Sequence, residues 1–94
     1  MLDQVYAPKK DIVAREMEDE TVLVPLASHV ADMDTLMKLN ETGAFIWKHL
    51  DGKRSLRDIV SLILETYEVT RPEAEEAVEE FMKEIADFVE LKNP

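Results

Sequence analysis

The sequence predicts an α+β domain in which a small antiparallel sheet is followed by three helices. Runs rich in β-branched residues are confined to the first third of the chain. The remaining two thirds hold three segments of helical periodicity, each with its own start signal. Strands first and helices afterwards is the order of an α+β domain. A chain of 94 residues has room for one such domain with one modest core.

The first strand is expected at Ile12-Val13-Ala14-Arg15-Glu16-Met17, β-branched at its start and half alternating. Glu18-Asp19-Glu20 is a polar break, and Thr21-Val22-Leu23-Val24-Pro25-Leu26 is a second β-rich run. Two runs around so short a break read as a hairpin with an irregular turn. Pro25 lacks the N–H a ladder needs, so it belongs at a strand end or an edge. Ser28 to Asp34 reads as a polar loop, followed by a short candidate strand at Thr35-Leu36-Met37-Lys38-Leu39, although Leu, Met and Lys suit a helix equally well. The first ten residues, with Pro8-Lys9-Lys10, offer little to bury and read as a flexible arm, residues 1–8 above all.

Asn40 is a good N-cap for the first helix, and Gly52 a good terminator after Leu50-Asp51. Gly43, Ile46, Trp47 and Leu50 then share one helical face. Phe45 lies roughly opposite that face and needs a second surface, such as the sheet, to cover it. Ser55 caps the second helix with Asp58 three positions on. Its apolar stripe is Leu56, Ile59, Val60, Ile63 and Tyr67, and its end is expected near Glu68. Thr70 caps the third helix, with Glu73 three residues later and Pro72 in the first turn, where a missing N–H costs nothing. Ala74, Ala77, Val78, Phe81, Ile85 and Phe88 form its stripe, widened by Met82 and Val89. The opposite face carries Glu73, Glu75, Glu76, Glu79, Glu80, Glu84 and Asp87. The last two helices after a short Gly turn also allow a winged-helix-like arrangement.

Composition limits the function. Apolar residues make up 46% of the chain and charged residues 34%, which is enough to build a packed core. Acids outnumber bases 21 to 11, for a net charge of −10. That balance disfavours nucleic acid and an anionic membrane surface, and suits a neutral or basic partner. There is no cysteine, so disulfides, thiolate nucleophiles and Cys-based zinc sites are excluded. No stretch approaches the roughly 18 apolar residues of a membrane span, and Met1-Leu2-Asp3-Gln4-Val5 has no signal-peptide character. The expected location is the cytoplasm.

Nothing points to catalysis or to a cofactor. With only Gly43 and Gly52 there is no Gly-rich phosphate loop, and the many carboxylates lie on open helix faces where nothing raises a pKa. His29 and His49, with Asp32 and Asp34, lack metal-ligand spacing. The composition therefore points to a domain that binds another polypeptide.

The segment Leu39-Asn40-Glu41-Thr42-Gly43-Ala44-Phe45-Ile46-Trp47-Lys48-His49-Leu50-Asp51-Gly52 makes that expectation specific. With Ser55-Leu56-Arg57-Asp58-Ile59-Val60 and Tyr67 behind it, it resembles the PqqD family of pyrroloquinoline-quinone (PQQ) biosynthesis. Domains of this family also serve as recognition elements in pathways that make post-translationally modified peptides from ribosomal precursors (RiPPs). The resemblance covers roughly residues 8 to 92. It implies a three-stranded antiparallel sheet packed on three helices. It also implies a non-catalytic peptide chaperone that binds the leader of a precursor peptide and presents it to a modifying enzyme, often a radical-SAM enzyme. In the family the leader adds as a strand in the cleft between the third strand and the third helix. Carried over by position, the expected site is Thr35, Leu36, Met37, Lys38 and Leu39 on the strand, with Ala74, Val78, Phe81, Met82 and Ile85 on the helix. The Asn-Glu-Thr-Gly segment is expected to be a structural signature rather than a contact surface. Nothing in the chain selects the PQQ pathway itself.

An exposed strand edge offers unpaired N–H and C=O groups to any extended peptide, which supports the same reading without the family. The bland readings are also plain. The acidic face of the third helix can simply be solvated, and Met37 and Met82, each taken alone, read as core. The basic patch Lys48, Lys53, Arg54 and Arg57 pairs with the domain's own acids or with the partner enzyme. The competing functions are a winged-helix DNA-binding regulator, for which the third helix is the wrong charge, and a generic adaptor in a homodimer paired through the open sheet edge.

Overall fold

The computed structural model describes residues 2–18, 20–25 and 37–92. In chain order the elements are β1 (Tyr6–Pro8), β2 (Ile12–Met17), β3 (Glu20–Pro25), β4 (Met37–Leu39), α1 (Glu41–Lys48), α2 (Leu56–Thr66), α3 (Arg71–Glu84), a 3-10 turn (Ala86–Phe88) and β5 (Val89–Leu91). This is the α+β order expected. β2, β3 and β4 make a three-stranded antiparallel sheet in that spatial order. Ile12 stands opposite Pro25 and Met17 opposite Glu20. Glu18 takes the left-handed conformation (φ 53°) at the turn. β4 pairs with the other side of β3, Leu39 opposite Thr21 and Met37 opposite Leu23. Pro25 is the last described residue of its strand. The expected positions Leu26, the loop Ser28 to Asp34, Thr35 and Leu36 lie outside the described residues.

Alternation along the strands puts Ala14, Leu23, Met37 and Leu39 on one face of the sheet. Leu23 and Leu39 are buried there with Ile46, Leu50, Leu56, Ile59, Val60, Ile63, Val78 and Ile85 in one continuous core. The helices start where their caps dictate. Asn40 Oδ1 accepts from the Gly43 N–H at 2.7 Å. Ser55 and Asp58 exchange two bonds of 3.1 Å. Thr70 and Glu73 do the same, with the Thr70 N–H donating to the Glu73 carboxylate at 2.9 Å. Each box satisfies backbone donors that the first helical turn leaves orphaned.

The chain ends differ from expectation. α1 stops at Lys48 and α2 at Thr66, short of Gly52 and Glu68. Gly52 instead turns the chain between helices at φ +78° and donates its N–H to the Tyr6 carbonyl at 3.0 Å. The third apolar stripe does not run on as helix past Glu84: the chain tightens into the 3-10 turn and then extends as β5. β5 pairs antiparallel with β1, Leu91 opposite Tyr6 and Val89 opposite Pro8. The N-terminal stretch read as a flexible arm is therefore built into the domain. The carbonyls of Leu2 and Gln4 accept from the Arg57 and Leu56 N–H groups at 2.8 and 3.0 Å, and the Val5 carbonyl accepts from Lys92 at 2.7 Å. Asp3 pairs with Arg57 at 3.1 Å. Composition hid this, because the attachment is made largely by backbone. Among the described residues no helix is long and apolar enough to cross a membrane.

Candidate functional site

β4 is an edge strand. One side bonds to β3, and among the described residues no strand pairs with the other. Beside that open side lies a cleft of about 270 Å³, with Lys38 and Leu39 on the strand wall and Ala77, Glu80, Phe81 and Glu84 on the α3 wall. Asn40, Thr42, Gly43 and Ile46, from the start of α1, close it between them. Apolar surface comes mainly from Ala77 and from the small exposed parts of Leu39 and Phe81, with Ile46 fully buried beneath them. Charge comes from one ammonium on the strand wall and two carboxylates on the helix wall.

The Asn-Glu-Thr-Gly segment shapes this cleft. Asn40 caps α1, and Thr42 lines the cleft. A Cβ on Gly43 would come within 2.9 Å of Phe81 Cε1 and 3.2 Å of Asn40 Oδ1. Only a bare α-carbon lets the Phe81 ring lie flush against the helix backbone. Glu41 reaches out on the other flank of α1 to the Tyr67 hydroxyl. Burial, followed by that carboxylate, pushes the Tyr67 phenol above its ordinary pKa.

The residues expected at the site divide three ways. Lys38, Leu39 and Phe81 line the cleft. Met37 is half-buried and packs on the core. Ala74, Val78, Met82 and Ile85 are core residues, Val78 and Ile85 fully buried, because the apolar stripe of α3 faces the sheet and the other helices. Thr35 and Leu36 lie outside the described residues. Sequence reasoning placed Ala77 in the core stripe and Glu80 and Glu84 on the solvent face. Residues 77, 80 and 84 in fact form the flank between the two, a helical row at i, i+3 and i+7. Such a boundary row is the sequence signal that would have found them.

Phe45, on the face of α1 away from the core stripe, finds its cover. Its ring lies 5.4 Å from that of Tyr67, edge to face, and 4.6 Å from that of His49. His49 Nδ1–H donates to the Phe45 carbonyl at 2.8 Å. Ala14, Glu16 and Thr21 of the sheet complete a second recess beside it. The two arginines of the basic patch are engaged by the domain's own acids, Arg54 with Asp51 at 2.7 Å and Arg57 with Asp3, whereas Lys48 and Lys53 take part in no ion pair among the described residues. The Arg54 and Lys53 backbone N–H groups hold the Asp51 carboxyl below its usual range. Among the described residues no three His, Cys, Asp or Glu side chains gather as a metal site. His29, Asp32 and Asp34 lie outside them.

Comparison with known proteins identifies this arrangement. Among solved structures, the chain is similar to TbiB1 in complex with the TbiA(beta) leader peptide. The TM-score is 0.70 at 27% identity, over 86% of this chain and 88% of that one. It shares its fold with a lasso peptide synthetase B1 complexed with the leader peptide, at a TM-score of 0.74 and 21% identity over 90% and 96% of the two chains. No curated protein matches. The family model described as coenzyme PQQ synthesis protein D matches residues 20–87, which run from β3 through the whole helical layer, and the chain therefore belongs to the PqqD family.

Proposed function

We propose that this domain is a non-catalytic recognition module. It binds the leader segment of a ribosomally made precursor peptide as an added strand on β4 and presents the peptide to a modifying enzyme, for which a radical-SAM enzyme is one class the family serves. The observation that carries this reading is a strand edge, unpaired among the described residues, beside a cleft of mixed polar and apolar lining. Edge N–H and C=O groups supply affinity regardless of sequence, and the cleft selects alternate side chains. The likeness to TbiB1, solved with a leader peptide, supports the same ligand class here. A DNA-binding role is disfavoured by charge: the outer side of α3 exposes Glu73, Glu76, Glu80 and Glu84, which repel phosphate.

The reading is tested with a precursor leader peptide that the domain binds. Its affinity is compared with that of the same peptide N-methylated at alternate backbone amides. Strand addition requires one methylation frame to abolish binding and the other to leave it nearly intact, since alternate amides point toward and away from β4. Equal tolerance of both frames would overturn it. Light scattering with and without leader separates a second copy of the chain as the occupant of the edge, because a homodimer paired through β4 must dissociate as peptide binds.

A further inference from the structure

Resting on that reading, we infer that the groove selects leaders carrying a Lys or Arg two residues from the apolar side chain that fills the cleft, with the cation held by Glu80 and Glu84. Both carboxylates line the cleft on the α3 wall and both residues are exposed. Neither takes part in an ion pair among the described residues, although α3 itself carries Arg71 and Lys83. Arg71 is engaged with Glu75 at 3.8 Å instead. The two glutamates stand one helical turn apart, about 6 Å between β-carbons. Alternate side chains of an extended peptide repeat at about 6.6 Å, so a cation next in line to the buried apolar residue falls between or beside them. A long Lys or Arg stem also continues the apolar contact with Ala77 and Phe81 while its head stays in water. Lys38 on the opposite wall gives the groove a sense: cations are favoured toward α3 and disfavoured toward β4.

Because the pairs are solvent-exposed, the preference is moderate, about twofold to fivefold in affinity for Lys or Arg over Ala. It shrinks as salt is raised. The experiment is a selection from a display library of random 12-residue peptides on the immobilised domain, repeated on the Glu80→Lys/Glu84→Lys double variant. Amide chemical shifts of Lys38, Leu39 and Ala77 confirm where the selected peptides bind. Both substituted positions are on the surface, so the fold is retained. The expected result is enrichment of Lys and Arg two positions from an apolar residue on the native domain, and of Asp and Glu at the same position on the variant. Groove-binding peptides whose charge preference does not change between the two proteins would overturn the inference and leave the peptide-binding reading standing. Selected peptides that shift none of the groove amides would overturn both.

Discussion

Gly43 and Phe81 form the contact on which the groove depends. With 2.9 Å available to a new β-carbon, Gly43→Ala must displace a ring that is only 7% exposed. Overpacking of this kind costs about 1–3 kcal/mol, against a gain of roughly 1 kcal/mol from replacing a helical glycine. The expected outcome is a net loss of stability in urea melts and weaker leader binding, both partly restored when Phe81→Leu is combined with Gly43→Ala. Additive effects in that cycle would show that the two residues do not act together. The Asn-Glu-Thr-Gly segment is legible as a signature in the sequence alone, and the contact with Phe81 explains why it is one. Its direct lining of the cleft was not legible, because nothing local in the sequence announces that Phe81 will lie across Gly43.

Among the elements, the three helices were legible because their caps are local chemistry. Thr70→Ala removes the acceptor for the Glu73 N–H and should cost about 1 kcal/mol. The Thr70 backbone N–H and hydroxyl hold the Glu73 carboxyl below its ordinary pKa. A folded-state pKa below the unfolded one gives stability that is fully present above the unfolded value and is lost as pH falls through the folded one. Acidification below the usual glutamate range should therefore lower the melting temperature of the native domain more than that of Glu73→Gln. Parallel losses in the two proteins would contradict the assignment. β1 and β5 were not legible. Each is three residues long and gains its order only from a partner some 80 positions away. Ile85, Phe88 and Val89 also satisfy helical spacing, so periodicity alone extends α3, whereas pairing with β1 ends it. Deleting residues 1–8 removes acceptors for the Gly52, Leu56, Arg57 and Lys92 N–H groups. At 0.5–1.5 kcal/mol per bond the expected loss is about 2–6 kcal/mol, read from denaturant midpoints. An unchanged midpoint would return that segment to the status of an arm.

At the scale of the whole molecule, the features fit a domain that offers one open strand edge to an extended partner. A net charge of −10 and an acidic α3 suit a neutral or basic partner, and a strand edge suits an extended one. Binding should accordingly weaken only modestly with salt, unlike the steep dependence that comes from releasing counterions from nucleic acid. Affinity falling by orders of magnitude between about 50 and 200 mM salt would contradict strand addition. The three-stranded antiparallel sheet was legible from family resemblance and from the β-rich first third. The division of α3 between core and groove was not, since Ala74, Val78 and Ile85 are apolar in the same pattern as a groove wall would be. The most direct measurement is an NMR titration of the domain with the leader of its precursor peptide, followed at the backbone amides. The largest shifts are expected at Lys38, Leu39, Ala77, Glu80, Phe81 and Glu84. Shifts confined to Lys48, Lys53, Arg54 and Arg57 would contradict leader binding along β4.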